Sequence, residues 1–211
     1  MRQLLALIFC LTVLPVQAEY VIAPDIAKEY VDLQARVRKH PNNVDLNFEY
    51  AICLSYVGKV EEGKAALKKV RNLDPGFPEK ALPRYLKEYQ NDPANPKIKY
   101  RLGFLYYFND KYEEALRVLA EVADERPVGQ LNAWALGYMA VIKGEQKKWQ
   151  EGERLVRQAL QIEPDAYALR AALAAALKEQ GKLWAATKEF FRALRNRSEF
   201  DEYEKTLFQQ P

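Results

Sequence analysis

Apolar residues recur every three or four positions along almost the whole chain, and no segment alternates apolar with polar long enough to make a strand. The pattern predicts helices throughout. Pro24, Pro41, Pro75, Pro93, Pro127 and Pro164 fall where helices should start or stop. Gly58, Asn109-Asp110, Gly144 and Gly181 sit inside the intervals, at expected helix C-caps, where a left-handed residue turns the chain back. The predicted order is helix, short turn, helix, proline, repeated.

The repetition is in register. Ala51, Gly63, Leu67 and Pro75 return as Gly103, Ala115, Leu119 and Pro127, each 52 residues later. Helix pairs repeated in register imply a stacked array. Between Lys97 and Pro127, the run Leu102-Gly103-x-x-Tyr106, then Ala115-x-x-x-Leu119, then Pro127 resembles the tetratricopeptide repeat. Gly103 and Ala115 are expected where the two helices of a pair cross, because only small side chains allow close approach. Tyr106 and Leu119 are expected to fill the space beside the crossing.

Four repeats are predicted, over residues 45–75, 97–127, 131–164 and 167–198. The third pairs Gly137 with Gly152 across 15 residues, where Ala51–Gly63, Gly103–Ala115 and Ala174–Ala186 use 12. Three residues are therefore expected to be inserted in the exposed turn between Gly144 and Lys148. Two helices lack a partner. Residues 25–39, after an N-terminal segment, read as a cap within residues 19–42. Residues 79–90 read as a helix inserted between repeats, which Pro83 should kink or shorten. Phe200, Tyr203 and Leu207 predict a separate capping helix over residues 199–209, with Ser198 and Asp201 as an N-cap box. The resemblance implies an all-α solenoid of antiparallel helix pairs, wound as a right-handed superhelix, over residues 43–211.

The N-terminus changes the picture of where this array works. Arg2, then the uncharged apolar run Leu4 to Val16, then Val16-Gln17-Ala18 predict a signal peptide of residues 1–18. A retained N-terminal anchor is the alternative, although the apolar run is short of the roughly 20 residues a bilayer span takes. Export without disulfides suits a periplasm. The whole chain carries a net charge of +3, which becomes +2 once Arg2 is removed. Nothing in that balance demands nucleic acid. Only Cys53 remains after cleavage, as a small hydrophobe on a helix or as one half of an intermolecular disulfide.

Candidate chemistry is sparse. His40, the one histidine, lies in the loop Lys39-His40-Pro41-Asn42-Asn43, where no neighbour would hold it as a base. One His and one remaining Cys cannot make the usual zinc site. Glu61-Glu62 and Glu113-Glu114 begin helices, where the dipole favours acids. No phosphate-binding glycine loop is present. The reading is of a non-enzymatic protein with no cofactor or metal.

In the family it resembles, the first helix of each pair lines the concave face. That register places Phe48, Ile52, Ser55 and Tyr56, then Tyr100, Phe104, Tyr107 and Phe108, then Trp134, Tyr138, Val141 and Ile142 toward the groove. The fourth repeat offers Ala168, Ala171, Ala175 and Lys178 instead. Phe48, Ile52, Tyr56, Tyr100, Phe104, Tyr107, Phe108, Trp134 and Tyr138 are thus the candidate partner-binding residues, in an aromatic groove for a peptide or helix. The alternative is that they are core, covered by the inserted helix through Leu82, Tyr85, Leu86 and Tyr89, or by Tyr20-Val21-Ile22. The carboxylate clamp of chaperone-binding members is absent, since Phe48, Ile52, Tyr100 and Phe104 stand at its places. Lys182, Lys188, Arg192, Arg195 and Arg197 form a basic cluster that could meet anionic lipid or an acidic partner, or simply favour a helix end. The expected function is a protein-interaction scaffold or adaptor of the cell envelope, with a protein or peptide partner, no nucleic acid and no stable membrane insertion after cleavage. A self-associating structural subunit is the alternative.

Overall fold

A computed structural model describes residues 21–209. The predicted signal peptide, Tyr20 and the last two residues lie outside them. Among the described residues ten helices follow one another: α1 (Pro24–Lys39), α2 (Val44–Tyr56), α3 (Val60–Leu73), α4 (Phe77–Asn91), α5 (Pro96–Phe108), α6 (Tyr112–Ala123), α7 (Gln130–Glu145), α8 (Trp149–Ile162), α9 (Tyr167–Glu179) and α10 (Leu183–Leu207). No strand occurs among the described residues. The helices pack in consecutive antiparallel pairs, α2 with α3, α5 with α6, α7 with α8 and α9 with α10. Successive pairs stack through α6 on α7 and α8 on α9. The result is an all-α solenoid.

Each pair turns through the same three-residue connection, and its middle residue is left-handed: Gly58 (φ 88°), Asp110 (φ 58°), Lys147 (φ 59°) and Gly181 (φ 74°). The third turn corrects the sequence reading twice. Its left-handed residue is Lys147, and Gly144 lies inside α7. No residues are inserted in that turn. The three extra residues lengthen the helix, since α7 has 16 residues where α2, α5 and α9 have 13.

Counting back from the turn makes Ala140, not Gly137, the counterpart of Ala51, Gly103 and Ala174. The contacts agree. A Cβ on Gly152 would stand 3.3 Å from the Ala140 carbonyl oxygen, as one on Gly63 would stand 3.6 Å from that of Ala51. Gly137 faces Leu169 of the next pair, which a Cβ would approach to 2.8 Å. The insertion is one extra turn at the start of α7. Buried Asn132 fastens that turn: its Nδ2 donates to the carbonyls of Val122, Ala123 and Glu125, and its Oδ1 accepts from the Gly129 N–H. Elsewhere the expected crossing holds, because a Cβ on Gly103 would lie 2.8 Å from Leu119 Cγ.

Two further expectations give way. Pro83 does not shorten its helix; α4 runs 15 residues through it, with the proline exposed. Residues 199–209 form no separate cap. α10 continues unbroken for 25 residues, and Ser198 lies inside it. The second half of α10 reaches back across the solenoid to α1 and the turn before α3, where Glu204 meets Tyr30 and Lys59. First and last helices therefore touch.

Candidate functional site

The nine candidate groove residues are brought together, and they are inside. Phe48, Ile52, Tyr56, Tyr100, Phe104, Phe108 and Trp134 are buried; Tyr107 and Tyr138 are half-buried. Their rings form one connected cluster. Phe48 packs on Phe104 (6.2 Å) and Phe108 (5.6 Å), Tyr56 on Tyr100 (5.6 Å), and Tyr138 on Phe104 (5.1 Å), Tyr107 (5.8 Å) and Tyr100 (6.2 Å). Trp134 closes the set from the lengthened α7. Its indole lies where a Cβ on Gly58 would be 2.8 Å from Cη2, so Gly58 is required by its left-handed φ and by the ring beside it.

An open aromatic groove is therefore not what the free chain presents. Its own helices fill the space. From one side α4 supplies Phe77 and Tyr85, 5.3 Å and 5.8 Å from the Phe48 ring. Beside them α1 packs on α2, and its acidic side chains reach Lys97 and Arg101 of α5. Ile22 before it, and Ile26, Tyr30 and Leu33 within it, are buried. The α1 end is held by Gln130 at the start of α7, which accepts from the Ala23 N–H (2.8 Å) and donates to the Val21 carbonyl (2.6 Å).

A charged strap fixes the middle of α1. Asp25 and Glu29, four residues apart, answer Lys97 and Arg101, four residues apart on α5. Lys97 lies 2.8 Å from Asp25 and 3.2 Å from Glu29; Arg101 lies 3.0 Å from Glu29 and 3.4 Å from Glu49. Tyr56 donates to Glu29 at 2.7 Å. Burial alone would raise the Glu29 carboxyl, but the Tyr56 hydrogen bond and the Lys97 and Arg101 charges outweigh it and hold it below its ordinary value. The Lys97 hydrogen bond does the same for Asp25, against a smaller effect of burial. Next to Glu29 on α1, Tyr30 donates to Glu204, stacks on Tyr50 and meets the edge of Phe208 at 5.6 Å. Lys59 pairs with the same Glu204 at 2.7 Å.

The remaining chemistry is muted. Burial pushes the Cys53 thiol up to about 12, and no part of it reaches the surface; an intermolecular disulfide there would need the fold to open. His40 is exposed after α1. Among the described residues no group of three or more His, Cys, Asp or Glu is placed to hold a metal, and no helix is long and apolar enough to cross a membrane. One cleft of about 300 Å³ opens between α3 and α6, lined in part by Lys64, Lys68, Arg71, Tyr107 and Tyr112. Arg71 closes its floor, 4.6 Å over the Phe108 ring.

No protein-family model and no curated protein matches the chain. Solved structures do. The PilF protein of Pseudomonas aeruginosa, itself built of tetratricopeptide repeats, superposes with a TM-score of 0.51 at 16% identity, over 72% of this chain and 76% of PilF. The fold is that of the tetratricopeptide repeat. MamA aligns over 85% of this chain and 92% of its own, at 17% identity and a TM-score of 0.48. MamA from Desulfovibrio magneticus aligns over 84% and 98%, at 16% identity and 0.45. At such identities the likeness is one of fold.

Within the tetratricopeptide register, the corrected third repeat matters. Gly137, Val141, Gly144 and Glu145 are the counterparts of Tyr100, Phe104, Tyr107 and Phe108. The aromatic series does not continue in register into α7; Trp134 and Tyr138 join it from the helix flank nearer α2 and α5. The residues that seat α1 were not singled out from sequence. Their signal was an acidic pair, Asp25 and Glu29, matched by a basic pair, Lys97 and Arg101, each at a one-turn spacing.

Proposed function

We propose that the protein is a non-enzymatic protein-interaction scaffold of the cell envelope, and that its partner seat is the first-helix face that α1 occupies in the free chain. The observation that supports this is α1 itself: a single amphipathic helix packed on α2, with Ile26, Tyr30 and Leu33 buried and Asp25 and Glu29 paired to Lys97 and Arg101 of α5. That is the helix-in-groove mode of recognition, used within one chain. A partner helix with the same pattern would take the same seat, against Tyr50, Tyr56, Lys97 and Arg101, once α1 lifts.

The test is complementation. A chain beginning at Pro41, mixed with a synthetic peptide of residues 21–40, should bind that peptide and regain thermal stability, and the Glu29→Gln peptide should bind more weakly. A truncated chain that stays folded and ignores the peptide would contradict the seat.

A further inference from the structure

Among the described residues, large exposed apolar side chains gather at the end of the solenoid. Along the first half of α10, Leu183, Trp184, Phe190, Phe191 and Leu194 are all exposed, Trp184 by 86% and Phe191 by 63%. Their spacing puts them on one face of the helix, about 18 Å long at 1.5 Å per residue. Large exposed apolar patches mark interaction surfaces.

The repeat register shows that this face is more than an unfinished array. At the place of Phe190 the preceding repeats carry Leu67, Leu119 and Val156, and the last two are buried. A further helix would cover such positions. Trp184 and Phe191 are different. Their counterparts are Glu61, Glu113 and Gln150, and Lys68, Ala120 and Arg157, which face solvent save for half-buried Ala120. A helix continuing the stack would leave both aromatics wet.

Charge selects the occupant. Residues 182–198 hold Lys182, Lys188, Arg192, Arg195 and Arg197 against Glu189 alone, a net +4 in a chain whose total is +3. The whole positive excess of the protein lies on this stretch. Glu189 is committed to Arg170 and Arg192, at 3.0 Å and 2.7 Å. Lys188, Arg195 and Arg197 are exposed on the flanks of the apolar stripe. The nearest acids to Arg195 and Arg197, Glu199 and Asp201, are 3.9 Å away. Lys182 is paired with Glu153 at 2.8 Å; pairing two copies through this face would set Lys188, Arg195 and Arg197 of one against those of the other.

We propose that the outer face of α10, from Leu183 to Leu194, docks the protein on an anionic phospholipid surface. The aromatic and leucine side chains enter the boundary between headgroups and acyl chains, and the flanking Lys and Arg meet lipid phosphates. Trp184 suits that boundary, with an apolar body and one N–H donor.

The test uses the chain from Glu19 onward, which contains all ten helices and keeps the apolar Leu4 to Val16 run out of the assay. It is floated with vesicles of equal parts phosphatidylcholine and phosphatidylglycerol, and with phosphatidylcholine vesicles. Binding to the anionic vesicles alone is expected, with a blue shift of tryptophan emission and release by high salt. Trp184→Ala with Phe191→Ala should cut partitioning by about tenfold or more. Lys188→Ala with Arg195→Ala should cut it by about twenty-fivefold, near fivefold per charge. These side chains are exposed, so helicity should be unchanged. No binding, equal binding to both vesicles, or undiminished binding of the aromatic variant would overturn the proposal. So would a lipid-independent dimer that the aromatic variant dissolves, or an acidic amphipathic helix captured by this face while vesicles are ignored.

Discussion

Two faces of this solenoid carry aromatic rows, and the chain treats them oppositely. Along α2 and α5 the row is sealed under α1 and α4. Along the first half of α10 a row of similar size is left in water. Residue type and spacing do not distinguish them. What differs is whether the chain supplies a helix with complementary charge. Asp25 and Glu29 of α1 match Lys97 and Arg101 on the first face. The second half of α10 carries the acids that might have folded back over Lys188 and Arg195, but it runs straight on and delivers Glu204 to Tyr30 and Lys59. The acidic helix ends up on the first face, and the basic face is left for something outside the chain.

The sharpest way to break this comparison is to remove aromatics from each face in turn. Tyr100→Ala with Trp134→Ala deletes two buried side chains, each worth about 3–5 kcal/mol, which together rival the whole stability of a domain. The double variant should be unfolded or nearly so in a thermal melt. Trp184→Ala with Phe191→Ala should stay within about 0.5 kcal/mol of the parent. Similar losses from both pairs would erase the distinction.

Smaller changes sharpen it. Gly58→Ala places a methyl in a left-handed residue and 2.8 Å from the Trp134 ring. It should cost about 2 kcal/mol in a denaturant titration, because α2 and α7 must move apart. Glu29→Gln leaves Arg101 and Lys97 short of a charge partner and should cost about 1–3 kcal/mol, lost from α1 first.

The strap also sets an acid limb. Asp25 and Glu29 titrate below their ordinary values of 3.8 and 4.5, so folding favours their ionised forms. Their contribution is complete above those values and disappears as pH falls through the lowered ones. The melting midpoint should therefore drop on acidification below about pH 4.5, and Glu29→Gln should make that drop shallower. An unchanged slope would place the stabilisation elsewhere.

Much of this architecture was legible in the residues. Helix pairs, the lone helices α1 and α4, and the crossings at Gly103 and Gly63 followed from small residues and prolines at fixed intervals. The third repeat misled because Gly137 and Ala140 are both small and one helical turn apart, so either fits the crossing; only the Lys147 turn and the Ala140 contact decide. The terminal cap misled because Ser198 is a good N-cap in isolation, yet nothing after it breaks a helix, and α10 gains more by continuing to Tyr30. That the aromatic residues form one cluster could be read from register. Whether they face water could not, since it depends on contacts between residues 174 positions apart.

The most direct test is native-state amide hydrogen exchange, comparing Ile26 to Leu33 of α1 with Leu102 to Tyr106 of α5. If α1 is a displaceable occupant of the seat, its amides should exchange through a local opening, well before those of α5, yet far slower than in the free 21–40 peptide. Exchange of both segments together, only on global unfolding, would make α1 an inseparable part of the core and contradict the scaffold reading of this face.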